Sequence, residues 1–235
     1  MDKTKLKIKT ESNKNKKHNL LKMTEELYIR HFPQNKNVDY KKLQMSEVSL
    51  YSMDDPKFIE SVAKIIKSYF HGNKKITITD GTAHVGGASL NFAEYFNKVN
   101  SVEIDKFHCR ILKNNINEYK LNKKIDVYCD DYLNIMTDLN QDVIFFDPPW
   151  GGNRYKKNIL MDLYMSKSNL INIINKLIIH NKTKKNKTSL IVFKVPRNYN
   201  INKFLIGLEQ EKITIIKMYQ HNTKHILCNM IILEL

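Results

Sequence analysis

The sequence predicts an α/β fold: a seven-stranded, mostly parallel sheet with helices on both faces. Three observations predict it. From residue 72 onward, apolar stretches of strand length alternate with amphipathic stretches of helix length. These apolar stretches hold few polar residues, which is typical of parallel strands that are covered on both faces. The last two apolar stretches follow one another without a helix between them, which predicts an antiparallel edge strand.

The composition divides the chain into three parts. Residues 1–19 are rich in Lys, Asn and Ser and nearly free of large apolar side chains, so we expect a basic disordered tail. Residues 20–71 are expected to form a short helical extension. Residues 72–235 carry the alternating pattern and form the predicted core.

Two helices are predicted in the extension. A short one covers about residues 20–32 and is followed by the polar loop PQNKNVDYKK. The second lies in DDPKFIESVAKIIKSYFHG, with Asp54 or Asp55 as N-cap, Pro56 in the first turn and Gly72 at the end. Its apolar residues recur at helical spacing: Phe58, Ile59, Val62, Ile65, Ile66 and Tyr69.

The core starts with a strand and alternates from there. The predicted strands are KITITD, VNSVEID, KIDVYCD, QDVIFFD, SLIVFKV, KITIIKMY and ILCNMIILEL. The first two helices are GGASLNFAEYF and HCRILKNNINEYK. A long amphipathic segment, about residues 160–180, leads through the loop NKTKKNK to the fifth strand.

Composition excludes several classes of protein. No apolar run approaches the ~20 residues of a membrane span, and the charged N-terminus does not resemble a secretory signal. Cys109, Cys129 and Cys228 lie far apart without a CxxC pair, so we expect reduced thiols and neither a disulfide framework nor a metal site. An intracellular monomer, in the cytoplasm or nucleus, is the expectation.

The chain is strongly basic. Its formal charge is +15 and its isoelectric point is about 9.5. Lysine supplies most of this charge, which is also what an AT-rich genome encodes. A domain this basic nevertheless attracts polyanions, so nucleic acid is the expected partner. Contact with RNA phosphates, a nuclear address and simple solubilisation all fit the N-terminal tail.

Acidic residues follow four of the predicted strands. They are Asp80, Glu103 with Asp105, Asp130 with Asp131, and Asp147. Because the carboxyl ends of parallel strands meet at one edge of the sheet, these side chains should converge. Doubly wound sheets bind ligands at that edge, although an Asp in such a place also serves as a helix N-cap.

The first strand end suggests the kind of cofactor. TDGTAHVGGASLNF is a strand, a glycine-containing turn and a helix entry, and it lacks the GK[ST] of a phosphate-binding loop. Glu103, after the next strand, suits two ribose hydroxyls, which a nicotinamide cofactor also carries. Asp80, before the turn, repels a pyrophosphate but attracts a cation. S-adenosylmethionine, with its ammonium and sulfonium groups, fits better, and Asp131 can accept its adenine amine.

The stretch VIFFDPPWGG, residues 143–152, suggests the chemistry. Transfer of a methyl group to an exocyclic base amine requires acceptors that turn the nitrogen lone pair toward the donor, and Asp147 and the carbonyl of Pro148 supply two. Trp150 offers a face for a purine, with cation–π attraction of about 0.5–2 kcal/mol if the purine is cationic. Gly151 and Gly152 leave room for a flat ligand. The alternative is a rigid turn with a core Trp.

These residues bear a resemblance to a known family. DPPW resembles motif IV of the amino-methyltransferases, and DPPWGG resembles more narrowly the trimethylguanosine synthase family, which methylates N2 of the 7-methylguanosine RNA cap. Pro-Arg-Asn at residues 196–198 matches a second family motif, and the resemblance extends over about residues 51–235. It implies a Rossmann-like class I S-adenosylmethionine-dependent methyltransferase fold. Small size and AT-rich composition fit a viral or protist member.

The resemblance implies a role for individual residues. The methionine part of the cofactor would contact Asp80, Gly81, Thr82 and Gly86. Its ribose would bind Glu103, and its adenine would bind Asp131 and Tyr132. The catalytic group would be Asp147, Pro148 and Trp150, with Asp147 also beside the cofactor. The capped RNA would contact Trp150, Tyr155 and Arg197. Arg154, beside the DPPWGG segment, is a further candidate because a guanidinium suits phosphates, although it is equally a solvated turn residue. No metal is implied, since the sulfonium is already an activated donor.

Some features leave alternatives open. Thr82 and His84 replace the usual residues of the family's turn, and His84 is either a base or a residue that tolerates the turn. The segment before residue 60 only loosely resembles the family segment that closes over cofactor and substrate. An amino-methyltransferase of another base, such as adenine N6 in DNA or RNA, is one rival function. An inactive RNA-binding subunit is the other. Transfer of one methyl group or of two is open.

Overall fold

The computed structural model describes residues 19–72, 75–183, 187–208, 212–219 and 226–235, without the side chains of residues 153 and 154. The predicted N-terminal tail, apart from Asn19, and the centre of the loop NKTKKNK lie outside these residues. Among the residues that the structure describes, no helix has the length and apolar character needed to cross a membrane.

One seven-stranded sheet organises the molecule, as predicted. The strands are β1 Thr77–Asp80, β2 Lys98–Val102, β3 Ile125–Tyr128, β4 Val143–Phe146, β5 Tyr164–Met165, β6 Ser168–Asn169, β7 Leu190–Pro196, β8 Ile213–Tyr219 and β9 Ile226–Glu234. Their order in the sheet is β3-β2-β1-β4-β7-β9-β8, and β5 and β6 form a separate hairpin. The pairs from β3 to β7 are parallel, whereas β9 is antiparallel to both β7 and β8. The α/β class and the antiparallel edge are confirmed.

The strand order creates a switch point at the centre of the sheet. The chain runs from β1 outward to β2 and β3 and then returns to β4 on the other side of β1. Loops that leave β1 and β4 therefore diverge from adjacent strand ends, which opens a crevice between them. Asp80 is the last residue of β1 and Asp147 follows β4 directly, so both acids lie at this crevice.

Helices cover both faces of the sheet. They are α1 Glu25–His31, α2 Ser49–Ser52, α3 Pro56–Ser68, α4 Gly87–Tyr95, α5 Lys106–Glu118, α6 Tyr132–Ile135, α7 Leu170–Thr183 and α8 Ile201–Ile206, with 3-10 helices at Tyr40–Lys42 and Gly152–Lys157. Alternate residues of β4 enter different apolar cores. Val143 and Phe145 pack with α3, α4 and α5, whereas Ile144 and Phe146 pack with α7 and α8.

Two helices begin well after the residue that was predicted. The first helix is shorter, because Thr24 is its N-cap and accepts a hydrogen bond from Leu27 N at 3.2 Å. The amphipathic segment from residue 160 becomes helical only at Leu170, because β5 and β6 form a hairpin with Ser166 at φ 54°. By contrast, α3 has Asp55 as its N-cap, as expected.

The N-terminal extension is tied to the core through α5. Gln44 N donates to Asn115 Oδ1 at 2.8 Å, and the hydroxyl of Tyr119 donates to the carbonyl of Pro33 at 2.6 Å. Burial is the main cause that raises the pKa of Tyr119, so this phenol stays protonated and able to donate. The extension is thereby fixed against the C-terminal part of α5.

The prediction of three reduced thiols is wrong for two of them. Cys109, in the first turn of α5, and Cys129, just after β3, form a disulfide bond with Cα atoms 5.7 Å apart. Cys228 is free and buried in β9. Linear spacing misses the pair because α5 packs antiparallel to the strand that follows it, which returns residue 129 to the beginning of the helix.

Candidate active site

The turn after β1 encloses a buried carboxyl group. Asp80 is 1% exposed and accepts hydrogen bonds from Ser89 Oγ at 2.7 Å and Thr82 N at 3.3 Å. Burial raises the pKa of Asp80 to about 7, against the opposing effect of these two donors. Asp147 and Glu103 raise it further because their negative charges lie nearby. A cation that binds in this turn would lower the pKa of Asp80 and would therefore favour its ionised carboxylate.

Glycine is required at two points of this turn. A Cβ atom at Gly81 would lie 2.6 Å from the ring of Phe146. Gly86 adopts φ 102°, and a Cβ atom there would lie 2.9 Å from Leu112. His84 also has positive φ, 51°, and its ring packs on that of His108 with centroids 4.3 Å apart. This backbone conformation supports the interpretation of His84 as a turn residue.

Glu103, after β2, is held against the same turn. It is 8% exposed and accepts from His84 N and Asp105 N, each at 2.7 Å. The next residue, Ile104, is 59% exposed and borders a shallow depression with Phe107. Ile104 is a further candidate that was not predicted, although an apolar residue between two acids at a strand end was a usable signal.

The end of β3 supplies one accessible acid and one core residue. Asp131 is the N-cap of α6 and accepts from Leu133 N at 3.0 Å and from Ser166 Oγ. Tyr132 is 2% exposed, and its hydroxyl accepts from Gln141 Nε2 at 3.2 Å. Burial raises the pKa of Tyr132 well above its ordinary value. Its side chain packs in the core, so a contact with a ligand would have to come from its backbone.

A cavity of about 600 Å³ opens beyond β4. Asp147, Pro148, Trp150 and Tyr155 line it, as do Asp54, Phe58, Lys194 and Cys228. The Trp150 and Tyr155 rings meet edge to face, with centroids 5.1 Å apart. Trp150 is half-buried, and no residue that the structure describes accepts from its buried indole N–H. The indole therefore forms part of the cavity wall, and Trp150 is not a fully buried core residue.

The two glycines after Trp150 lie in open space, and Gly152 lines the cavity. Gly151 and Gly152 have φ of 86° and 66°, and a Cβ atom at either would meet nothing within 4 Å. The positive φ values strain any other residue, whereas the open space agrees with the predicted room for a flat ligand.

A narrow crevice of about 40 Å³ lies behind the cavity. Asp80 and Thr82 line it from the β1 turn, and Met53 lines it from the extension. Asp54 and Asp147 belong to the lining of both spaces. The predicted cofactor turn and the predicted base-binding wall therefore meet at these two carboxylates.

A buried ion triad lies where the two spaces meet. Lys194 Nζ lies 2.7 Å from both carboxylate oxygens of Asp54 and 2.9 Å from Asp147 Oδ2, and 4.9 Å from the centre of the Trp150 ring. Burial alone lowers the pKa of Lys194, but the two carboxylates outweigh it and raise the pKa above its ordinary value. Burial raises the pKa of Asp147 to about 6, opposed by Lys194 and assisted by Asp54.

Lys194 and Asp54 were missed as site residues. The usable signal for Lys194 was a lone lysine within the apolar strand LIVFKVP, which is costly unless it is paired. Asp54 was considered only as a helix cap, a role that Asp55 takes.

Of the two predicted phosphate ligands, only Arg197 has a described side chain. Arg197 is exposed in the turn after β7 and does not line the cavity, and the side chain of Arg154 lies outside the described part of the chain. Asn198 instead donates from Nδ2 to the carbonyls of Tyr155 at 2.9 Å and Asn158 at 2.8 Å. The Pro-Arg-Asn motif thereby positions the 3-10 helix that carries Tyr155.

Within the described ranges, no group of three or more His, Cys, Asp or Glu side chains is arranged to hold a metal ion. The polar groups of the site are instead carboxylates at adjacent strand ends, which accept hydrogen bonds. Such groups suit ammonium, ribose hydroxyl and base amine donors.

Comparison with known proteins identifies related sequences. A family model described as RNA cap guanine-N2 methyltransferase matches residues 75–232. An uncharacterized protein, L320, of Acanthamoeba polyphaga mimivirus is 36% identical over 162 residues, which cover 64% of this chain and 61% of that protein. The chain thus spans less than two thirds of the length of this relative.

Solved structures share the fold at low sequence identity. A putative methyltransferase from Porphyromonas gingivalis W83 aligns with TM-score 0.55 and 15% identity over 81% of this chain and 43% of that one. A human methyltransferase 10 domain containing protein aligns with TM-score 0.51 and 12% identity over 76% and 80% of the two chains. A SAM-dependent O-methyltransferase from Thermotoga maritima gives 0.50 and 12% over 77% and 66%. The shared architecture is the class I methyltransferase fold.

Proposed function

Because the chain belongs to the RNA cap guanine-N2 methyltransferase family, we propose that it transfers a methyl group from S-adenosylmethionine to N2 of the 7-methylguanosine RNA cap. Family and fold together make it an S-adenosylmethionine-dependent methyltransferase. The observation that carries the finer proposal is the shared wall: Asp147 borders both the Asp80 crevice and the cavity that contains Trp150.

The strand-end acids fit the cofactor chemically. The buried carboxylate of Asp80 would pair with the ammonium of the methionine part, and Glu103 would accept from the ribose hydroxyls. Exposed Ile104 offers an apolar face to adenine, and Asp131 offers an acceptor to its amine. When bound, the cofactor supplies a methyl group on a sulfonium, an activated leaving group.

The crevice must widen to admit the methionine part. It holds only about 40 Å³, and Ser52, Met53 and Asp54 of the extension form one side of it. Met53 lies close to α4, since a Cβ atom at Gly87 would be 2.9 Å from its methyl group. Outward movement of this segment would open the crevice, and its return would close the site over cofactor and substrate.

The cavity fits a cationic purine. The Trp150 face would stack on the base, and Tyr155 supports the indole edge to face. A 7-methylguanine is cationic, so stacking would gain about 0.5–2 kcal/mol over a neutral base. Asp147 and the carbonyl of Pro148, both in the cavity wall, would accept the hydrogens of N2.

The residues of the site would accelerate transfer mainly by orientation. Asp147 and the carbonyl of Pro148 would hold the hydrogens of N2 and so turn its lone pair toward the methyl group that the cofactor would supply. The new nitrogen–carbon bond leaves a positive charge on N2, and ionised Asp147 is placed to take the surplus proton. Burial raises the pKa of Asp147 only to about 6, so this carboxylate is ionised at neutral pH.

We propose that Arg197 and Arg154 bind the phosphates of the cap. Arg197 lies exposed at the carboxyl end of β7, the same edge of the sheet as the cavity. A guanidinium would hold a phosphate with two parallel hydrogen bonds, and Arg154 is proposed to contribute in the same way.

A methyl-transfer assay tests the proposed function. The protein is incubated with S-adenosylmethionine and a 7-methylguanosine-capped dinucleotide, and the products are weighed by mass spectrometry. We expect a gain of one or two methyl groups on the capped substrate and none on the same RNA without a cap. Equal turnover of uncapped RNA overturns the cap assignment, transfer to adenine supports the amino-methyltransferase of another base, and failure to bind the cofactor supports an inactive RNA-binding subunit.

A further inference from the structure

Asp54 reaches the reaction cavity from the N-terminal extension. It is the residue before the N-cap of α3, and its carboxylate is held by Lys194 Nζ at 2.7 Å. Like Asp147, it lines both the cavity and the crevice. Two carboxylates, one from the extension and one from the end of β4, therefore stand side by side where a base amine must arrive.

The triad leaves the site with one surplus negative charge. Lys194 is 9% exposed and balances one of its two carboxylate partners. Each carboxylate can accept several hydrogen bonds, so contact with Lys194 does not exhaust either of them. The remaining negative charge attracts a cationic ligand more strongly than a neutral one. Water screens this attraction only in part, because the side chains of Asp54 and Asp147 are 23% and 22% exposed.

Two adjacent acceptors suit the edge of guanine and not that of adenine. Guanine presents N1–H and the N2 amine as neighbouring donors, whereas adenine presents a donor amine beside an acceptor nitrogen. A carboxylate that faces the adenine nitrogen would be left unpaired, which is a costly mismatch in a buried site. We propose that Asp54 determines the guanine specificity of the enzyme: its carboxylate accepts the N1–H of the cap base while that of Asp147 accepts from N2. Lys194 holds the two acceptors together.

This inference rests on the proposed function, and a binding cycle tests it separately. The probes are a 7-methylguanosine cap dinucleotide and the same compound with a methyl group on N1, which removes the N1–H donor. Trp150 is the only tryptophan of the chain, so quenching of its fluorescence reports occupancy of the cavity. We expect wild type to bind the N1-methylated probe at least about 10-fold more weakly than the parent, as for a lost hydrogen bond to a charged group.

The decisive comparison uses Asp54→Ala. We expect this variant to bind the parent probe at least about 10-fold more weakly than wild type, and to bind the two probes within about twofold of each other, because the partner of N1–H is already gone. Asp54→Val, which keeps side-chain bulk but carries no hydrogen-bond acceptor, is measured in parallel and serves if the Ala variant unfolds. Asp138→Asn, which removes an exposed carboxylate outside the cavity, is the charge control and should match wild type.

Two results distinguish a failure of the proposed role of Asp54 from a failure of the proposed cap substrate. Wild type that does not bind the parent probe contradicts the proposed cap substrate. If wild type binds the parent probe but Asp54→Ala and Asp54→Val retain either its full affinity or the full penalty for N1 methylation, the cap substrate survives and the role of Asp54 is overturned.

Discussion

The backbone N–H of Asp147 donates to Oγ1 of Thr82 across 2.9 Å. This hydrogen bond joins the turn after β1 to the turn after β4, the two loops that diverge at the switch point of the sheet. It fixes the turn after β4, which would bind the methyl acceptor, relative to the turn after β1, which would bind the methyl donor. A threonine that departs from the family's usual turn residue therefore sets the distance between the two halves of the site.

Removal of the Thr82 hydroxyl should slow transfer. Thr82→Val keeps the shape but leaves the Asp147 N–H unpaired, at a cost of about 1–3 kcal/mol. We expect kcat on a capped dinucleotide to fall roughly 5- to 100-fold, with a smaller change in cofactor affinity. Thr82→Ser, which keeps the acceptor, should retain most of the activity. Full activity in Thr82→Val together with a loss in Thr82→Ser would show that the methyl group, and not the hydrogen bond, matters.

Trp150 and Asp147 should affect different steps. Trp150→Ala is expected to abolish measurable cap binding, whereas Trp150→Phe retains part of it because a smaller ring still stacks. Asp147→Ala should lower turnover more than binding, since its acceptor acts on the reacting amine. Calorimetric titration with a 7-methylguanosine cap analogue and steady-state kinetics separate the two effects. Intact cap affinity in Trp150→Ala would remove the stacking role.

Cofactor binding should release a proton near neutral pH. Burial raises the pKa of Asp80 to about 7, so this carboxyl is largely protonated at about pH 6.5. The ammonium of the cofactor favours the ionised form and lowers that pKa, which expels the proton and makes binding tighten as pH rises toward 7. Calorimetry in buffers of different ionisation enthalpy measures the release. Asp80→Asn should bind roughly 10- to 100-fold more weakly and release no proton from this site; unchanged release would assign the proton elsewhere.

Loss of the Lys194 charge should move the pH profile. Ionised Asp147 accepts from N2, so activity should fall as pH drops through about 6, to which burial raises the pKa of that group. Lys194→Met removes the cation that opposes this rise, while Asp54 remains as a negative neighbour. The acidic limb of kcat/KM should then shift upward by roughly one pH unit or more. Lys194→Arg is the charge-preserving control. A uniform loss at every pH would indicate a purely structural lysine.

The disulfide should stabilise the cofactor side of the sheet. Cys109 and Cys129 close a loop with a sequence separation of 20, for which chain entropy suggests about 3 kcal/mol. Urea unfolding of wild type should show a lower free energy with reductant than without, and the Cys109→Ala/Cys129→Ala variant should not respond to reductant. Identical unfolding of wild type in both conditions would contradict a stabilising bond.

Much of the core was predictable because its signals are local. Each strand up to β4 is a short apolar run that ends at an acid, and each following helix carries an apolar stripe, so the elements and their parallel arrangement follow from neighbouring residues. The helix start at Asp55 was predictable for the same reason. The hairpin before Leu170 was not, because its apolar residues fit a helical pattern equally well and only packing decided against it.

Some residues of the candidate site were likewise predictable from local sequence, and others were not. The sequence by itself determined which groups close the strands: Asp80, Glu103, Asp131 and the DPPWGG segment, each recognisable by residue type and position. Only the tertiary structure brought Lys194 to Asp54 and Asp147, placed Tyr132 in the core, left Arg197 outside the cavity and paired Cys109 with Cys129. The physical reason is that strand ends are specified by periodicity along the chain, whereas a contact between distant residues depends on strand order and on which face each side chain occupies.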